Sequence, residues 1–136
     1  VIDQKDMRLT LRQPVLDAGI VKDIAWEKRK FNPKGKSLWI RETIIPISGL
    51  PLAQNNQANE GRYVLDIFVV ANTGTELLED TITQIAKLYN PDDVPFLRGS
   101  NTMITIQECS RKTNLDDGMW TFGTLSILFK AFDSIN

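Results

Sequence analysis

The chain has 136 residues, a formal net charge of −1, one cysteine and no histidine. That length suits a single domain over residues 1–136 with a sizeable core, and the near-neutral balance offers no broad basic surface to nucleic acid. The missing histidine excludes histidine triads, histidine-ligated metals and the usual proton switch near neutral pH, while a lone Cys109 forms no internal disulfide and fits a reducing compartment or simple indifference to redox.

No apolar run approaches the roughly 20 residues that a membrane helix needs, so no membrane partner is expected. No basic-then-apolar leader opens the chain. A start at Val1 rather than Met leads us to expect missing or processed residues upstream.

Residues Ile2–Leu11 predict a short, weakly amphipathic helix, limited by Pro14, which lacks the backbone donor a helix interior uses. Gly19 breaks the chain. Val21–Trp26 predicts a short strand with Ile24 and Trp26 on one side. Glu27–Lys36 is basic and punctuated by Asn32-Pro33 and Gly35; it reads as a solvated loop, or as a local positive patch for an acidic partner or a phosphate. Ser37–Ile47 predicts a second strand, in which Leu38, Ile40, Glu42 and Ile44 alternate with Trp39, Arg41, Thr43 and Ile45. Pro46 marks it as an edge strand or a strand end. Ser48–Glu60 is amide-rich, and its thirteen residues exceed the two to five of a hairpin loop. It is expected to be a mobile loop or a contact made outside the domain.

The stretch Gly61–Asn90 organises the rest. Tyr63, Leu65, Ile67, Val69 and Ala71 share one wholly apolar strand face, because successive side chains point to opposite faces. The other face, Arg62, Val64, Asp66, Phe68 and Val70, is mixed, which predicts partial cover or cover by another subunit. Thr73 with Glu76 fits a capping box. Leu78, Ile82, Ile85 and Tyr89 then repeat at helical spacing, predicting a helix over 74–90 that Asn90-Pro91 stops. After a stiff Pro91–Pro95 turn, Thr102–Arg111 predicts a strand with Ile104 and Ile106 on one face and Met103, Thr105, Gln107 and Cys109 on the other. Thr113–Gly118 signals a turn. Met119–Phe132 predicts the last strand, with Trp120 and Phe122 opposite Leu125, Ile127, Phe129 and Ala131, antiparallel to the one before it. The expected fold is α+β: a mostly antiparallel sheet of about five strands, with the helices packed on one face.

Chemistry is sparse. There is no Walker motif, no dinucleotide-binding glycine pattern, no Cys-x-x-Cys and no nucleophile elbow. Asp92-Asp93 and Asp116-Asp117 sit in turns, where Asp is expected for its backbone chemistry. Cys109 has no base to activate it. No catalytic residue, no metal and no cofactor are expected, and the chain reads as a non-enzyme.

A resemblance carries the reading further. Ile24-Ala25-Trp26-Glu27, then Leu38-Trp39-Ile40-Arg41, then Gly61-Arg62-Tyr63-Val64-Leu65-Asp66 with Phe68-Val69, Gly74-Thr75-Glu76 at a helix start, and the terminal hairpin are similar to the tail terminator proteins of long-tailed, lambda-like bacteriophages. The likeness runs from about Val21 onward. The start departs from the family, whose N-terminal helix is clear where Pro14 blurs this one. The resemblance implies an α+β virion subunit that forms a hexameric ring, assembled in the host bacterial cytoplasm. That ring caps the tail tube in the tail or neck, ends tube polymerisation, and offers a surface to the head–tail connector protein, while DNA passes through its lumen without specific binding. The partners so implied are further copies of the chain, the tail tube protein and the connector. On that reading Arg62, Asp66, Phe68, Leu50, Leu52, Gln54 and Asn55 are expected at subunit or tube contacts, and Asp116 and Asp117 in the lumen. Two alternatives stand: another phage neck or tail-completion protein, and a non-enzymatic ligand-binding α+β module.

Overall fold

A computed structural model describes residues 3–53, 56–72 and 74–133, and the side chains of these outside 48–58. Helix α1 spans Gln4–Ala18, well beyond the expected end at Leu11. Its start is defined by Asp3, whose carboxylate accepts the Asp6 N–H at 3.1 Å. Its end is Gly19, in the left-handed region at φ 61°, where its N–H reaches the Val15 carbonyl. Pro14 lies inside the helix. A mid-helix proline costs about 3 kcal/mol. Met7, Leu11 and Val15 are buried on one stripe spanning it, and each contributes roughly 1.5–3 kcal/mol, so packing outweighs the break.

Strand β1 is only Ile24–Ala25 and pairs parallel to β2, Leu38–Ala53. The intervening residues 26–37 form the crossover that a parallel pair requires. β2 pairs antiparallel with β3, Asn56–Val70, from Leu38↔Val69 out to Ala53↔Asn56. The expected Ser48–Glu60 loop is therefore mostly strand. The ladder is irregular between Pro46 and Ser48 and between Pro51 and Ala53. Prolines that donate no hydrogen bond, and bulges that break the period-2 alternation, hide these strand ends in the sequence. Pro46 does sit on the outer edge of the sheet beyond β1, as its missing donor suggests.

Helix α2 spans Glu76–Leu88, a shorter element than the predicted 74–90. Thr75 is its N-cap, without a side-chain cap bond; Thr73, of the expected capping box, lies outside the described residues. Three further strands follow: β4, Phe96–Arg98, which was not expected; β5, Thr102–Asp117; and β6, Trp120–Asp133. The expected Thr113–Gly118 turn shrinks to Gly118 and Met119. Gly118 takes φ 62°, as the first residue of a tight two-residue hairpin turn demands.

The sheet order is β1-β2-β3-β6-β5-β4. The fold is α+β as expected, but the sheet is a six-stranded, mixed, curled half-barrel rather than about five antiparallel strands. Both helices cover one face of it. Leu78, Ile82 and Ile85 of α2, Tyr89 at its C-cap and the stripe of α1 meet Tyr63, Leu65, Ile67 and Val69 of β3, and Leu125, Ile127, Phe129 and Ala131 of β6. The close fit of α2 relies on Gly123, where a β-carbon would lie 2.5 Å from Ile82 Cδ1. A register shift between Ile106 and Glu108 turns Cys109 to this core face, opposite Ile127, away from the face that simple alternation predicts.

Candidate functional site

The helix-free face of the sheet is organised in rungs. Trp39, Phe68 and Phe122 are direct cross-strand neighbours. Their rings stack, at 4.0 Å and 6° for the first pair and 4.8 Å and 26° for the second. Phe31, from the 26–37 connection, stacks on Trp39 at 5.2 Å, and Trp120 meets Trp39 edge-on at 5.7 Å. The next rung is Arg41↔Asp66↔Thr124. Arg41 donates from Nε and one terminal nitrogen to the same Asp66 oxygen, at 3.1 and 3.0 Å, and Thr124 donates to the other oxygen. The Arg41 guanidinium also lies 5.1 Å from the centre of the Phe68 ring. Further along, Arg62 sits between Ile45 and Leu128 and donates diagonally to Ser126 Oγ at 3.0 Å.

Arg62, Asp66 and Phe68 thus share one face, as alternation predicts, but their surroundings differ. Phe68 is 1% exposed and Asp66 is 7% exposed, both enclosed by their own chain. What reaches solvent is Arg62, half-buried, together with Arg41 and Ile45. Sequence reasoning noted Trp39 and Arg41 on one strand face but did not pair them with β3. That pairing depends on a register set across more than twenty residues. Of the other expected contacts, Gln54 and Asn55 lie outside the described residues, as do the side chains of Leu50 and Leu52. Asp116 and Asp117 are exposed at the β5–β6 tip, and Asp116 accepts from Thr121 Oγ1 at 2.8 Å.

On the opposite side of β2, Glu42 is 2% exposed among apolar neighbours. Arg12 donates to both of its oxygens, at 2.7 and 2.6 Å. Tyr63 Oη donates at 2.6 Å and the Glu27 N–H at 3.2 Å. Glu27 in turn accepts the Ile44 N–H at 2.7 Å and pairs with Arg8 at 3.3 Å. A buried carboxylate requires such partners, and this one ties α1, the 26–37 connection, β2 and β3 together. The Glu42 hydrogen bonds hold the Arg12 pKa above its ordinary value. Burial, with Tyr89 and Glu42 nearby, pushes the Tyr63 hydroxyl well up, so it stays a donor. The signal was present in the sequence: an acid on an otherwise apolar strand face. Cys109 is half-buried, and burial beside Glu108 pushes its thiol pKa up, the wrong direction for a nucleophile.

No family model matches the chain, and no curated protein matches it. The chain is similar to a solved protein chain that superposes with a TM-score of 0.73, covering 100% of this chain and 99% of that one at 12% identity. At that identity the likeness is one of fold. No helix among the described residues is long and apolar enough to cross a membrane.

Proposed function

We propose that the protein is a structural subunit that assembles with copies of itself, and that its assembly is a ring capping a phage tail tube, the role its sequence resemblance implies. The observation that supports self-assembly is the placement of exposed apolar side chains at opposite sides of one sheet. Ile45 and Ile47, on the free edge of β2, are 47% and 52% exposed; Leu115 and Met119, at the β5–β6 end, are 58% and 66% exposed. Two different patches on opposite sides suit head-to-tail contacts, which generate rings when the rotation closes. Both free edges also resist simple strand addition, since β2 carries prolines and bulges and β5 carries charges and two register shifts. Contacts then fall to side-chain patches. The terminator role further assigns the outer sheet face around Arg62 to subunit or tube contacts, and the virion tail or neck as the place where the protein acts.

The test is tube-length control. Purified protein added to polymerising tail tube protein is expected to stop elongation and leave a ring at one tube end in electron micrographs. Ile47→Asp with Arg62→Glu is expected to abolish capping while far-ultraviolet circular dichroism stays unchanged. Tubes that elongate equally with and without the wild-type protein would remove the terminator assignment. A second reading, a ligand-binding module, is favoured by a groove of about 470 Å3 lined by Pro33, Lys34, Lys36, Val70, Met119 and Trp120. A binding module works as a monomer, so native mass separates the two.

A further inference from the structure

The helix-free face ends in two complementary ways. At the β1–β2 side, a groove of about 340 Å3 is walled by Trp26, Phe31 and Trp39 and rimmed by Lys28 and Arg29. Lys28, Arg29 and Lys30 are exposed, and none is in an ion pair among the described residues. At the β5–β6 side, the tip presents the two most exposed large apolar side chains of the described residues, Leu115 and Met119, beside exposed Asp116 and Asp117. One patch is an aromatic hollow with a positive rim; the other is an apolar knob with a negative rim.

Their level along the strands matters as much as their chemistry. Trp39, Phe68, Phe122 and Leu115 form one continuous rung across β2, β3, β6 and β5. Leu115 therefore lies at the height of the hollow and three strands across the sheet from it, while Met119, in the turn, lies beside the 32–37 connection. Joining the knob of one copy to the hollow of the next takes a rotation with little slide along the strands. A rotation that closes makes a ring, whereas a residual slide makes an open filament.

We infer that the Leu115–Met119 tip of one subunit seats against the Trp26–Phe31 groove of its neighbour, with Asp116 and Asp117 facing Lys28 and Arg29, and that this joint closes the ring. The inference rests on the ring reading above and specifies its contact. It moves Asp116 and Asp117 from the lumen to the joint between subunits.

The test is a charge exchange read by native mass over a range of concentrations. Asp116→Lys with Asp117→Lys gives one variant, and Lys28→Glu with Arg29→Glu gives the other. Each alone is expected to need at least about tenfold more protein than wild type to assemble, the equivalent of about 1.4 kcal/mol per joint. Mixed one to one, they are expected to recover wild-type assembly, because every joint of an alternating ring then pairs opposite charges. Loss of assembly at raised ionic strength is expected for wild type as well. As a check that does not depend on charge, Met119→Cys with Lys30→Cys is expected to form an intersubunit disulfide under mild oxidation. Wild-type rings together with charge variants that assemble normally, or with no disulfide, would leave the ring and overturn the joint. A mixture that fails to recover would overturn the joint too. A wild-type assembly that stops at two subunits, or a monomer at all concentrations, would overturn both the ring and the joint.

Discussion

Replacing Arg12 by Met tests whether the Glu42 cluster holds the fold together. The substitution keeps a long apolar stem and removes the guanidinium, so Glu42 loses two charge-assisted hydrogen bonds and keeps those from Tyr63 and Glu27. The Glu42 side chain is 0% exposed and that of Arg12 is 14% exposed, so water can replace little of what is lost. Breaking a buried pair by removing one partner costs about 3–5 kcal/mol. The lower end applies here, because two donors to the carboxylate remain. Loss of the contact between Arg12 and the Trp26 ring, at 4.9 Å, adds a fraction of a kcal/mol at a partly exposed site. At roughly 2.1 cal/mol/K of unfolding entropy per residue, a loss of about 3 kcal/mol in a domain of this size lowers Tm by about 10 °C. Urea denaturation and thermal melting followed by circular dichroism measure both quantities. The double variant Arg12→Met with Glu42→Leu is expected to be less destabilised than the sum of the single variants, since it leaves no uncompensated buried charge. A single-variant loss under about 1 kcal/mol, or strict additivity in the cycle, would refute this account.

Two further outcomes follow from contacts near the first turns of α1 and α2. A β-carbon on Gly99 would lie 2.1 Å from Thr10 Oγ1 and 2.7 Å from Asp6 Oδ2, so Gly99→Ala is expected to destabilise by about 1–3 kcal/mol, read as a lower urea midpoint; an unchanged midpoint would show that the helix and turn adapt freely. Acid is expected to weaken the fold: despite the opposing effect of its burial, Asp6 has its pKa lowered from the usual 3.8 by the N–H groups of Asn101 and Ser100, and Glu79 has its pKa lowered from the usual 4.5 by Arg111 and Asn114. Both pKa values are depressed on folding, so their contribution is complete above the unfolded values and lost as pH falls through the folded ones. Denaturation midpoints should therefore decline below about pH 4, and Asp6→Asn should flatten that decline.

What the sequence made legible was whatever depends on near neighbours. Tyr63, Leu65, Ile67 and Val69 read as the core face of β3 and are all at most 1% exposed. Leu78, Ile82 and Ile85 read as the buried stripe of α2 and are. The failures came where one local rule was overridden by a distant one. Pro14 argues for a helix end, and the burial of Leu11 and Val15 carries the helix through it. The amide-rich Ser48–Glu60 stretch argues for a loop, yet β3, itself held by β6 out to Ala58↔Phe132, keeps β2 paired there, with a register shift after Pro46 and another after Pro51. Alternation puts Cys109 opposite Ile104, and one bulge reverses it. The aromatic rung was beyond reach for the same reason: Phe68 and Phe122 become neighbours only once β3 and β6 pair, and no periodicity within either strand encodes that register.

The same distinction decides which residues can report on assembly. Asp66 and Phe68 lie on the outer face, but Asp66 is held by Arg41 and Thr124 and Phe68 is clasped between two aromatic rings. Reversing the charge of Asp66 would leave a buried cation facing Arg41, and any lost assembly would then follow from a damaged sheet. Ile47, Leu115, Met119 and the acidic pair at the β5–β6 tip have no such duty within the subunit: the apolar three are more than half exposed, and Asp116 makes one hydrogen bond, to a neighbour across its own hairpin. An apolar side chain left in water gains no burial energy from its own fold, so a copy that covers it recovers roughly 25 cal/mol per Å2 of apolar surface. The face that looks most like a site, the stacked aromatics, is thus held within the subunit, and on the proposed assembly its plain margins are where a neighbouring copy would have surface to gain.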